Sequence, residues 1–282
     1  MITVEKLFFG YTKDIFIKDI SFEVKKGEIF GFLGPSGAGK STLQKILIGM
    51  LKNYSGNVTV NGTEVSSHDN SFYENIGIDF EFPTLYEKLT ARQNLEFFSS
   101  LYSKEKRNSD ELLEAVGLLA DKDKKVSEFS KGMKSRLNFI KSLVHDPDIL
   151  FLDEPTSGLD PTNSCIMKEL IVREKGKGKT IILTTHNMQD AAELCDRVAF
   201  IVEGKLKALD TPHKLIMQKS AAKIIYTYME NGVEKYGECA IDGTQNDNLL
   251  NKLIAQNKLL TIHSKEQTLG DVFMDITGRR LT

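Results

Sequence analysis

Cysteine is scarce in this sequence, with three among 282 residues, and Cys165, Cys195 and Cys239 stand far apart. Neither a disulfide framework nor a metal-ligand spacing can be drawn from them, which excludes a disulfide-stapled secreted domain and fits a reducing compartment. Also missing is any apolar run approaching the ~18–20 residues needed to span a bilayer. Whatever the chain does at a membrane therefore runs through a partner. An excess of one charge is lacking too, since 37 basic residues face 39 acidic ones for a net charge of −2. No global basic field is present to attract nucleic acid. The opening MITVEKLFFGYTKD has neither the apolar length nor the cleavage site of a signal peptide. Charge runs such as SKEKR at 103–107 and DKDKK at 121–125 read as solvated surface.

What is present is an ordinary globular balance, 40% hydrophobic and 27% charged, with length for one large or two modest domains. ITVEKLFF, IFIKDISFEV and EIFGFLG alternate apolar and polar residues and predict antiparallel strands leading into a buried one. NVTVNGTEV predicts a hairpin, with Asn61-Gly62 supplying the positive φ of a tight turn. From about 90 to 145 the apolar spacing turns helical in ARQNLEFFSSLY, SDELLEAVGLL and KGMKSRLNFIKSLV. DILFLDE, TIILTTH and VAFIVEG then alternate with helices near 162–174 and 188–195. That order implies a mostly parallel three-layer α/β core carrying a helical insertion at about 84–145. After Pro212 the mixture of HKLIMQK, KIIYTYM, GECAI and DNLLNKLIAQN implies a small appended α+β piece.

The strongest chemical signal is Gly34-Pro35-Ser36-Gly37-Ala38-Gly39-Lys40-Ser41-Thr42, between an apolar strand and a helical run. This is the P-loop pattern in its proper setting: backbone N–H groups cradle phosphates at a helix N-terminus. Lys40 is expected to reach the β- and γ-phosphates of ATP, and Ser41 to ligate Mg²⁺. Small-nucleotide kinases use a similar loop, so the loop alone leaves the reaction open. Ile149-Leu150-Phe151-Leu152 ends in Asp153-Glu154. Asp153 suits the Mg²⁺ shell, and the adjacent Glu154 suits a general base acting on water, for which a kinase has no use.

Phe129-Ser130-Lys131-Gly132-Met133 follows the P-loop and precedes FLDEPTSGLDP and TTH. In that order, over about residues 1–212, the motifs resemble the nucleotide-binding subunit of ABC (ATP-binding cassette) transporters. FSKGM resembles a variant of the family's LSGGQ signature, with Lys131 replacing its first glycine and Met133 its glutamine. The resemblance implies a RecA-like P-loop NTPase core over 1–212, with an N-terminal antiparallel β subdomain and an inserted helical subdomain. Residues 213–282 would form a C-terminal α+β extension. It further implies a head-to-tail dimer of cassettes with two ATP at the interface, where Ser130 and Gly132 close on the opposite subunit's γ-phosphate. His186 matches the switch histidine, Ser157-Gly158-Leu159-Asp160 the loop that crosses to the partner, and Tyr11 the aromatic that stacks on adenine. Glu154, His186 and Lys40 are thus the expected catalytic set.

TLGDVFMDITGRR at 268–280 is similar to the ending of cassettes from drug, antibiotic and small-peptide exporters, which pair with separate permeases. That implies an ATPase subunit at the cytoplasmic face of the membrane, bound to a transmembrane permease and a second cassette. A soluble ABC-type ATPase with a regulatory role and no permease is the alternative. No second cassette, long coiled coil or iron–sulfur cysteine cluster is present, which separates the chain from translation-factor, chromosome-structuring and ribosome-recycling relatives. The groove for the permease is expected to draw on Phe80, Phe82, Leu85 and Tyr86. One position departs from the pattern: the family's Q-loop glutamine falls on Glu81, and Gln93 belongs to the next helix. A carboxylate is a harder Mg²⁺ ligand than an amide, so Glu81 joins Ser41 and Asp153 as an expected metal contact.

Overall fold

A computed structural model describes residues 1–104, 106–219, 223–265 and 267–278, which pack as two units, Met1–Thr211 and Pro212–Arg280. In the first unit the alternating N-terminal segments form β1 (Ile2–Phe9) and β2 (Ile17–Val24), antiparallel partners. Ile2, Val4, Leu7 and Phe9 of β1 are buried with Ile17, Ile20, Phe22 and Val24 of β2; the alternation by two is reset once in each strand, at irregularities where Lys6 and Asp19 take positive φ. β3 (Ile29–Leu33) is buried at every residue, the mark of an interior parallel strand. It feeds the phosphate loop and helix α1 (Lys40–Leu47). Next come β4 (Ser55–Val60) and β5 (Thr63–Glu64), joined through Asn61 and Gly62 at φ 51° and 79°. The antiparallel sheet runs β2-β1-β4-β5.

β6 (Ile76–Asp79) leads into the helical insertion of α2 (Ala91–Ser100), α3 (Ser109–Ala115) and α4 (Lys131–Lys141). A capping box starts α2: the Gln93 amide N–H donates to Thr90 Oγ1 while its side-chain oxygen accepts from Thr90 N. Gln93 is therefore committed to its own helix end. The core resumes with β7 (Ile149–Asp153), α5 (Pro161–Gly176), β8 (Thr180–Thr185), α6 (Met188–Leu194), β9 (Arg197–Val202) and β10 (Lys205–Asp210).

These strands form a second sheet in the order β10-β9-β3-β8-β7-β6, parallel from β9 to β6. Its register matters most for function. Leu33 lies opposite Thr185, Thr184 opposite Asp153, and Leu152 opposite Asp79. The carboxyl ends of four neighbouring strands thus come level, and that edge is where open α/β sheets hold ligands. Phe22, Phe30 and Phe32 cross-pack at ring separations of 5.3 to 5.5 Å and tie the two sheets together.

The second unit comprises α7 (Pro212–Lys219), β11 (Lys223–Glu230), β12 (Val233–Ala240), α8 (Asn248–Ala255), β13 (Leu259–Lys265) and α9 (Leu269–Thr277). Its antiparallel sheet, β12-β11-β13, packs Tyr226 against Leu250 and Leu253 of α8. The Tyr226 hydroxyl donates to Asp247, the residue that caps α8. The exporter-like ending folds as α9 with Val272 and Phe273 buried; its last two positions, Arg279 and Arg280, lie outside the described residues. Among the described residues no helix is long and apolar enough to cross a membrane.

Candidate functional site

The loop between β3 and α1 is shaped by steric demands that only glycine meets. At Gly34 a Cβ would come 2.1 Å from the Ile201 carbonyl oxygen, and Gly39 adopts φ 114° just before the helix. Lys40 is buried, and its Nζ donates to the Gly34 oxygen at 2.7 Å and the Pro35 oxygen at 3.1 Å. Burial pulls the Lys40 ammonium below its ordinary pKa, opposed by the charges of Glu154, Asp153 and Glu81. Three carboxylates from two separate segments, the end of β7 and the loop after β6, therefore act on one lysine.

Asp153 ends β7 and accepts from Ser41 Oγ at 3.4 Å and from Thr184 Oγ1. The next residue, Glu154, turns sharply out of the strand at φ 51°, anchored by its N–H on the Thr184 carbonyl at 3.0 Å. That turn sends its carboxylate to the end of β8. There Oε2 accepts from Thr185 Oγ1 at 3.3 Å, and Oε1 lies 2.9 Å from His186 Nδ1. Ser36 through Thr42, Glu81, Glu154, His186 and Phe16 line one cleft of about 370 Å³.

Ser41 Oγ and Asp153 Oδ1 sit side by side at the phosphate loop, and among the described residues no cluster of three His, Cys, Asp or Glu side chains could hold a metal alone. One carboxylate and one hydroxyl, completed by phosphate oxygens and water, is what Mg²⁺ takes in such sites, and these residues fit it. Glu81 is exposed on the same cleft.

Ser130, Gly132 and Asp160 are not among the residues lining that cleft. They gather at the start of α4 and α5 instead. Ser130 caps α4 by accepting from Met133 N at 3.2 Å, and Asp160 caps α5 by accepting from Asn163 N at 3.1 Å. A Cβ on Gly132 would stand 3.3 Å from Asn163 Nδ2, so the two helix starts abut. Lys131 packs its ammonium against Gly158.

Tyr11 is not among the residues lining the cleft. It is 61% exposed, shares a 3.0 Å hydrogen bond with Thr42 Oγ1, and meets Phe9 edge-on. The aromatic ring lining the cleft is Phe16, within 3.6 Å of where a Gly39 Cβ would stand. Sequence reasoning missed Phe16. Its only signal is an apolar residue placed just before β2, where the pattern IFIKDISFEV reads as strand throughout. Of the residues expected to form a docking groove, Phe82 is 76% exposed and Tyr86 is exposed, while Phe80 packs on the core. Tyr86 and Phe97 meet edge-on at 4.9 Å.

The ABC transporter family pattern matches residues 17–157. A fluoroquinolones export ATP-binding protein of Mycobacterium tuberculosis is 46% identical over 100% of this chain and 95% of its own length. A linearmycin resistance ATP-binding protein of Bacillus subtilis is 33% identical over 100% of this chain and 99% of its own. Among solved structures, an ATP-binding subunit of an ABC transporter superposes with a TM-score of 0.71 at 29% identity, covering 77% of this chain and 92% of that one.

Proposed function

The chain belongs to the ABC transporter family, and from that footing we propose that it is the ATP-hydrolysing subunit of an exporter. The observation carrying this reading is the cleft that brings Ser36–Thr42 of the phosphate loop, Glu154 and His186 together. A loop built for phosphate beside a carboxylate aimed at open space is the requirement for attack by water, not by a bound acceptor.

In this reading Lys40 exchanges its two loop carbonyls for the β- and γ-phosphate oxygens of ATP, at little cost because its ammonium is already desolvated. The backbone N–H groups of 36–42 and the start of α1 take the remaining oxygens. Bound Mg²⁺, held by Ser41 and Asp153 with Glu81 at its water shell, would neutralise charge on the β- and γ-oxygens. Glu154 takes a proton from a water whose oxygen attacks the γ-phosphorus. The bond from that phosphorus to the β–γ bridging oxygen breaks, leaving ADP and phosphate. His186 holds Glu154 in aim and borders the γ-phosphate. Tyr11 at the rim and Phe16 in the cleft offer aromatic faces to the purine.

Ser130, Gly132 and Asp160 lie outside the cleft of their own chain. The reading therefore includes a second cassette, arranged head to tail, that supplies them to each ATP. A separate permease docks on the exposed aromatics of the 82–97 region, which sets the chain at the cytoplasmic face of the membrane. The relatives named for fluoroquinolone export and linearmycin resistance support export as the direction.

The test is phosphate release from Mg·ATP by the purified chain, with affinity capture of its partners from native membranes. Turnover together with recovery of a membrane permease is the expected result. Recovery of soluble partners alone would sink the transport reading and leave only the ATPase.

A further inference from the structure

A buried amide joins the loop that carries Glu81 to the helix that begins at Ser130. Asn138 lies in the third turn of α4, only 1% exposed. Its Nδ2 donates to Asp79 Oδ1 and to the Phe80 carbonyl, the latter at 3.3 Å. Its Oδ1 accepts from Thr84 N at 3.3 Å and from Lys141 Nζ at 2.7 Å. Two donors and two lone pairs are all an amide has, and each is used. Lys141 strengthens the far side, donating to the Thr84 carbonyl at 3.2 Å and Thr84 Oγ1 at 2.7 Å, with its ammonium 4.8 Å above the Phe98 ring.

The placement of these bonds is selective. They grip the loop at its entry, Asp79 and Phe80, and at its exit, Thr84. Glu81, Phe82 and Pro83 between them make none of these contacts; Glu81 faces the phosphate cleft, and Phe82 stands in solvent. On the other side, Asn138 is eight residues along a continuous helix from the Ser130 cap, about 12 Å at 1.5 Å per residue. A helix of that length moves as a rod. A shift of the loop ends must either break a fully satisfied buried network, which is costly, or carry α4 with it.

We propose that Asn138 is a positioning residue that couples the Glu81 loop in the phosphate cleft to the Ser130 end of α4. This rests on the ATPase reading above and adds to it a route by which the occupied cleft of one subunit sets the helix end offered to the other. The residue touches no reacting atom, so its effect belongs in turnover and not in nucleotide affinity.

The experiment is a kinetic cycle on the purified full chain, using Asn138→Ala, Glu81→Gln and the two together, with thermal melts to verify folding. Asn138→Ala is expected to lower kcat about tenfold while leaving KM for ATP within about threefold. In the double variant the Glu81→Gln effect, read as the shift in the Mg²⁺ concentration for half-maximal rate, should largely vanish, since the loop is no longer coupled. A second variant, Asp79→Asn with Asn138→Asp, exchanges donor and acceptor at the bond between them, keeps the Thr84 and Lys141 bonds and gives up only the longer bond to the Phe80 carbonyl, so it should recover a measurable part of the turnover. If Asn138→Ala fails to fold, this exchange variant carries the test in its place, and Glu81→Gln on its background must then act as in the wild type. An unchanged kcat in folded Asn138→Ala, strictly multiplicative effects in the cycle, or no recovery by the exchange would each overturn the coupling. A wild-type chain that releases no phosphate would instead overturn the ATPase reading, so the two failures remain distinct.

Discussion

His186 Nδ1 stands 2.9 Å from Glu154 Oε1, although one residue follows β8 and the other follows β7. The contact exists because those strands are parallel neighbours in a register that sets Thr184 opposite Asp153, and because Glu154 takes φ 51° to leave the strand line. Thr185 holds the other carboxylate oxygen. The carboxylate is thereby held from two sides.

Glu154→Gln keeps the shape and the Thr185 contact but removes the proton acceptor. Turnover is expected to fall by about 10³-fold, within the usual range for loss of a general base, with ATP binding retained. Without hydrolysis the ATP-bound dimer should accumulate, visible as a shift in size-exclusion elution that depends on ATP. His186→Ala should cost less, about 10²-fold, because the carboxylate stays in place and loses only one support. Normal phosphate release by Glu154→Gln would remove it from the base role.

Glu81 contributes a charge that Lys40 feels across the cleft. Replacing it by glutamine removes one negative charge from the metal's surroundings while preserving the reach of the side chain. Glu81→Gln is expected to keep ATP hydrolysis but to need several-fold more Mg²⁺ for half-maximal rate. A magnesium titration at fixed ATP reads this directly, and an unmoved midpoint would rule out the ligand role.

The two aromatic residues near the cleft can be separated in the same way. Phe16 lines it, whereas Tyr11 lies at its rim with its hydroxyl tied to Thr42. Phe16→Ala is expected to raise KM for ATP about tenfold with little change in kcat, in line with loss of one ring–base stack. Tyr11→Ala should do less, and Tyr11→Phe close to nothing. The reverse ranking would return the base contact to Tyr11 alone.

Much of this site is legible in the residues themselves because its chemistry is local. The phosphate loop, its strand and its helix are consecutive, and a fully apolar IFGFL announces a buried parallel strand. What the residues could not reveal is non-local. The order β3-β8-β7-β6 joins segments more than a hundred residues apart, and only that order brings Glu154 to His186. Phe16 and Tyr11 differ by which ring turns toward Gly39, a matter of packing that no spacing encodes. Asn138 sits in KSRLNFIKSLV, which reads as an ordinary helix; its importance depends on which face of α4 meets the end of β6. There Gly77 allows the Ser142 carbonyl within 2.3 Å of where a Cβ would be.

His145 gives the fold a dependence on acid that is separate from the cleft. The ring is fully buried, 3.6 Å from the Tyr102 ring and nearly parallel to it, with Nε2 3.0 Å from the Ile76 carbonyl. That bond requires Nε2 to carry the proton, and among the described residues Nδ1 has no hydrogen-bond partner. Burial pushes its pKa down to about 4, and the nearby Lys104 and Lys179 act in the same direction against the Ile76 carbonyl and Glu74. An unfolded histidine titrates near 6.5, so between about 6.5 and 4 the unfolded chain binds a proton that the folded chain refuses. Stability from this residue is therefore complete above pH 6.5 and is lost as the pH falls toward 4, on the order of 3 kcal/mol in all. Urea unfolding across pH 4 to 8 should show that slope, and His145→Gln should flatten it while lowering stability at neutral pH. A slope that survives the substitution unchanged would assign the acid sensitivity to other groups.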